Sequence, residues 1–252
     1  MRSGSRAVSI AARLGLLLLL VLTSAALKET TPGESLQDLW VRYDGAVVDS
    51  AVYRHENLRR LFPLKYDPAT MTTTVVTLTG YDYPLGQQTL SRYIWVTAVP
   101  EVLQKCQKFA SGELELSLRE LLGLQPDAKI GNFVAMTVRA GDIFRPSPNP
   151  VTTSESLCDQ PAKDNTCGEL FPDWVSSDHK SWIANQMLTS YLVSATHNGA
   201  YSYPWTRLGY TYDWKPGADR YGASEYVIRP GAVITVTSKT PYGQYCKEAI
   251  GN

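Results

Sequence analysis

The stretch Ser224–Ser238, "SEYVIRPGAVITVTS", decides the fold class. Two apolar, β-branched runs flank Pro230 and Gly231, a pair with turn chemistry that has no place inside a regular strand. The segment therefore reads as strand, turn, strand. Immediately upstream, "KPGADRYGA" (Lys215–Ala223) also has turn chemistry, and "TRLGYTYDW" (Thr206–Trp214) before it is again strand-like. As a strand it puts Leu208, Tyr210, Tyr212 and Trp214 on one face, and Arg207, Gly209, Thr211 and Asp213 on the other. The aromatic face is expected to pack on a long helix.

Further from this core, "VVDSAVYR" (Val47–Arg54), "TTTVVTLT" (Thr72–Thr79), "SRYIWVTAV" (Ser91–Val99) and "NFVAMTVRA" (Asn132–Ala140) have the composition of strands. Pro100 ends one strand and can open a helix, "EVLQKCQKFA", because its missing N–H costs nothing at the first helical position. "ELELSLRELLG" (Glu113–Gly123) is a second helix with Gly123 just past its end. "SSDHKSWIANQMLTSYLVSATHNG" is a third, with Ser177 or Asp178 as cap and Gly199 as terminator. The expected fold is α+β: one domain, a mainly antiparallel sheet and about three helices.

The first 26 residues stand outside that domain. Arg2, Arg6 and Arg13 precede a short apolar core, Leu14–Leu22, and Ser24 and Ala26 occupy the small-residue positions of a cleavage site. This is the pattern of a signal peptide, and the core is too short for a membrane span of ~20 residues. The mature chain, Leu27–Asn252, is expected in a periplasm or outside the cell. It carries 21 basic and 24 acidic side chains, a balance with no electrostatic footprint for nucleic acid. No other stretch approaches spanning length.

Cys106, Cys158, Cys167 and Cys246 remain, an even count that reads as two disulfides in an exported chain. Cys158 and Cys167 enclose a short polar loop and form the natural local pair, leaving Cys106 for Cys246. Both members of the local pair lie in a Pro- and Cys-rich irregular segment, 141–178. No C-x-x-C occurs and His55, His179 and His197 are scattered, so no metal site is expected.

The segment "GASEYVIRPGAVITV" (Gly222–Val236) resembles the last catalytic strand of the mono-ADP-ribosyltransferase toxins, in which a Glu precedes an apolar triplet, a Pro/Gly turn and a second apolar run. "AVYR" offers Arg54 where that family ends an early strand in Arg, and "YIWVTAVPEVLQKC" offers Thr97 in the Ser/Thr-rich strand before a helix. The resemblance implies NAD as substrate. Arg54 would hold its phosphates, and Glu225 would stabilise the oxocarbenium-like charge as nicotinamide leaves. "VTA" stands where the family has Ser-Thr-Ser, and Ala223 where a Glu or Gln usually lies. The other readings are a binding protein of unknown ligand, taken as the default, and a carbohydrate-binding or carbohydrate-active protein. Arg207, Tyr210, Asp213 and Trp214 are the binding candidates, and the carbohydrate reading needs the aromatics exposed. Partner and cofactor are otherwise open.

Overall fold

A computed structural model describes residues 33–158, 167–191 and 202–248. Residues 1–26, expected to be a signal peptide, and Gly199 lie outside the described residues. In chain order the elements are α1 (Leu36–Ser50), β1 (Thr72–Thr79), β2 (Gly86–Thr89), β3 (Ile94–Ala98), α2 (Val99–Cys106), α3 (Leu114–Leu121), β4 (Asn132–Arg139), β5 (Ile143–Phe144), α4 (Ser177–Ser190), β6 (Tyr210–Tyr212), β7 (Tyr221–Ile228), β8 (Val233–Pro241) and α5 (Tyr242–Tyr245). The fold is α+β, with five helices among the described residues rather than the expected three.

The sheet order is β2-β8-β4-β1-β3-β7-β5, with β6 also on β7, and every pairing is antiparallel. Ser224–Ser238 explains its shape. β7 and β8 are joined by Arg229–Ala232 alone, yet β4, β1 and β3 lie between them. In a flat sheet their separation would be about 19 Å at the usual strand spacing. Four linking residues reach at most about 17 Å when fully stretched. The sheet must therefore roll up, and the second half of the link continues the β2–β8 ladder: Leu90 donates to the Ala232 carbonyl at 2.9 Å and Gly231 to the Leu90 carbonyl at 2.8 Å. The enclosed face carries Val75, Val96, Met136, Tyr226, Ile234 and Val236 as one apolar cluster.

The outer face is partly covered. α2, α3 and α5 lay Val102, Leu103, Leu118, Leu121 and Tyr245 on Val76, Leu78 and Phe133. Pro100 sits in the first turn of α2, as its chemistry requires, and Gly123 follows α3 with φ +63°. Disulfides link Cys106 to Cys246 and Cys158 to Cys167. The first ties α2 to the residue after α5.

Two expectations fail locally. Val47–Arg54 is not a strand, because α1 runs through Ser50. Ser35 and Asp38 form a capping box at its start, and Trp40, Tyr43 and Val47 share the buried face. The run Thr206–Trp214 is not one strand either. Arg207 and Gly209 have φ of +59° and +77°, and the pairing of β6 with β7 shifts between Tyr210 and Tyr212. Its aromatics consequently enter two different clusters. Leu208 and Tyr210 pack with Leu61 and Leu157, whereas Tyr212 and Trp214 pack on α1. The helix beneath Trp214 is thus α1.

The irregular segment after β5 is organised by Arg145, which is wholly buried. Its guanidinium donates to the carbonyls of Val151 at 2.9 Å and Ser154 at 2.8 Å, and its own N–H bonds the Pro150 carbonyl. A proline-rich loop with few N–H donors wraps a side chain that supplies five.

Candidate functional site

A cavity of about 300 Å³ lies on the outer face of the rolled sheet. Its floor is β-sheet. Val76 of β1, Thr97 of β3 and Glu225 of β7 come into line because the strands pair in register, Val76 with Thr97 and Thr97 with Glu225. Trp95, two residues before Thr97, necessarily projects from the same face. One wall is the end of α3 with Leu122–Leu124, a second is α4 through Gln186 and Ser190, and the segment Tyr203–Trp205 closes over them.

The α3 wall is fixed by Thr211. Its hydroxyl donates to the Leu121 carbonyl at 2.7 Å and accepts the Ala223 N–H at 2.8 Å. Gly222 permits this approach, since a Cβ there would lie 2.1 Å from both the Leu121 carbonyl oxygen and Thr211 Oγ1. At the other wall, Trp205 meets Trp95 edge-on at 6.1 Å, Trp182 at 5.9 Å and Tyr191 in a stack at 6.4 Å. Tyr203 donates its N–H to the Ser190 carbonyl at 2.7 Å, and Tyr191 its hydroxyl to the Trp205 carbonyl, also at 2.7 Å.

Glu225 supplies the one carboxyl among the lining residues. Its N–H is taken by the Gly209 carbonyl at 3.0 Å. Its carboxyl Oε1 is shielded from solvent and meets no hydrogen-bond partner. Burial raises its pKa to about 8, and the nearby charge of Arg145 offsets only part of that rise. At neutral pH the side chain is therefore mostly a carboxylic acid, which both donates and accepts. Thr97 is buried beside it and donates to the Val76 carbonyl at 3.5 Å, leaving its oxygen lone pairs unused.

Thr97 and Glu225 are brought together here; the other candidates are not part of the lining. Arg54 is held by Asp49, whose carboxylate lies 3.0 Å from its guanidinium, and Asp49 also accepts from the Tyr212 hydroxyl at 2.8 Å and pairs with Arg220. Arg54 is thus two contacts from the cavity, through Asp49 and Tyr212. Arg207 bonds the Ala51 carbonyl at 2.8 Å and lies over the Tyr191 ring. Tyr210 donates to the Asn57 carbonyl at 2.7 Å. Trp214 Nε1 donates to the carbonyl of Leu124, at 3.0 Å. Asp213 accepts the Lys215 N–H, and burial raises its pKa. Tyr210, Tyr212 and Trp214 are 2%, 8% and 4% exposed, so they offer no open stacking platform for sugar rings.

Residues missed from the sequence are Trp95, Gln186, Ser190 and Trp205. Two had a signal. Trp95 alternates with Thr97 along one strand, and Gln186 and Ser190 stand four apart on one helix. Among the described residues no cluster of His, Cys, Asp or Glu could hold a metal ion, and no helix is long and apolar enough to cross a membrane. No family model, no characterised relative and no solved structure matches the chain.

Proposed function

We propose that the protein binds a small, uncharged, ring-bearing compound in the cavity over Glu225. The observation that carries this reading is the unpartnered Oε1 of a buried carboxyl at the floor of an aromatic-walled cavity. A buried polar group left without a partner costs about 1–3 kcal/mol. A purely structural role would be served better by an apolar side chain, which leaves no polar atom unpaired. A ligand carrying a hydrogen-bond acceptor, with its ring against Trp95 and Trp205, relieves the cost and fits the rule that pockets are mostly apolar with a few placed polar groups. Benzamide, a neutral ring with a carbonyl acceptor, is a suitable first probe. In ligand-observed NMR it should saturate the protein at pH 6.5, bind at least tenfold more weakly at pH 9.5, and lose binding in Glu225→Leu. Absence of any saturable binding by benzamide and by related neutral heteroaromatic amides removes the proposal.

A second reading is NAD cleavage, favoured by the register pairing of Thr97 with Glu225 over one cavity. It uses the carboxylate, so its pH dependence has the opposite sign: nicotinamide release should rise as pH passes about 8. Glu225→Gln should abolish that release. If wild-type protein releases none at any pH from 6 to 9.5, this reading is finished.

A further inference from the structure

The α4 wall is pinned at both ends. At its far end Ser190 accepts from Tyr203. At its near end the pin is His179, in the first turn of the helix and 3% exposed. His179 Nε2 lies 2.8 Å from the Ser147 carbonyl, an acceptor only, so this nitrogen carries the proton. Nδ1 is buried and meets no partner. Three rings enclose the imidazole: Phe144 edge-on at 5.3 Å, Phe171 edge-on at 6.5 Å and Trp182 stacked at 6.1 Å. Trp182 continues to Trp95 and Trp205, both in the cavity wall.

We infer that His179 is an acid-sensitive latch: neutral, it seats α4 and completes the cavity, and protonated, it releases the wall. This regulation rests on the reading of the cavity as a binding site. A second proton must go on Nδ1, where a buried N–H would find no acceptor. The new charge would sit at the positive end of a helix. The surrounding charges do not compensate. Arg229, at the end of β7, lies over the same Phe144 ring at 4.5 Å and repels it. Arg145, next to Phe144 on β5, is committed to loop carbonyls. Lys180 lies over Phe171, and Asp178, Glu169 and Asp173 are exposed. Burial first, then Arg229, depresses the imidazole pKa, although the bond to Ser147 opposes them.

The sign follows. The folded state binds fewer protons than the unfolded state, whose His titrates near ~6.5, so this support is full above that pH and is lost as pH falls. Hydrogen exchange of the α4 amides, corrected for intrinsic rate, should show opening increased up to about thirtyfold between pH 7.5 and pH 5. His179→Gln keeps a donor for Ser147 and cannot titrate, so its α4 exchange should not depend on pH. Should that variant fail to fold, the wild-type imidazole and the α4 amides can be titrated together by NMR, and their midpoints should coincide. Unchanged α4 protection at pH 5, an equal loss in His179→Gln, or separate midpoints would overturn the latch. Exchange is read without ligand. A negative result therefore removes the latch and leaves the pocket standing, whereas failure of benzamide and the related amides at pH 6.5, with exchange as expected, removes the pocket and leaves an acid-sensitive helix with no ligand to regulate.

Discussion

Glu225 sets stability against pH at the scale of a single residue. Its folded pKa of about 8 lies above the ~4.3 of an unfolded glutamate. The group therefore contributes fully below that lower value, and its contribution is lost as pH rises toward 8. The steepest loss is about 1.4 kcal/mol per pH unit. Urea unfolding of wild type between about pH 6.5 and 8, above the limb that His179 governs, should show this slope, and Glu225→Gln should flatten it. Parallel curves for the two proteins would mean that the carboxyl is not buried as described. His179 acts on the opposite limb, so the two groups together define a window of greatest stability on the acid side of neutrality.

At the scale of elements, α1 depends on a cap that costs little to test. Ser35→Ala removes the side-chain acceptor for the Asp38 N–H and should cost about 1 kcal/mol in chemical denaturation. A change below about 0.3 kcal/mol would place the helix's stability in its packing on Trp214 alone. The same helix shows why some elements were legible and others were not. β1, β3 and β8 are readable because β-branched residues dominate them, and β4 and β7 because β-branched and aromatic residues together make up half of each. α1 was not, because Val47, Val48 and Val52 resemble a strand locally. Its identity lies in the spacing of Trp40, Tyr43 and Val47 behind the Ser35 cap. β6 was overread for the opposite reason. Its alternation of aromatics is real, but positive φ at Arg207 and Gly209 breaks the strand, and no period in the side chains reports a backbone turn. The site was half legible: Thr97 and Glu225 follow from strand register, while Trp205 and the α4 residues depend on tertiary packing.

At the scale of the molecule, the rolled sheet and its two cross-links carry different weights. The Cys106–Cys246 bridge spans 140 residues and the Cys158–Cys167 bridge 9. On chain entropy alone the first contributes about 5 kcal/mol and the second about 2.7 kcal/mol. Paired Cys→Ala variants, compared by denaturant midpoint, should rank in that order. The reverse ranking would mean that the short bridge holds native structure around Arg145 rather than merely limiting the unfolded chain.

The long bridge also changes what a protease can do. Every element from α3 to α5 lies inside one covalent ring, which closes at Cys106, the last residue of α2. A cut in any connection within it, including the irregular run between β5 and α4, opens the ring without separating the pieces. The floor and both walls of the Glu225 cavity would remain on one molecule after such a nick, and a piece of the ring could leave only after a second cut inside it or reduction of the bridge.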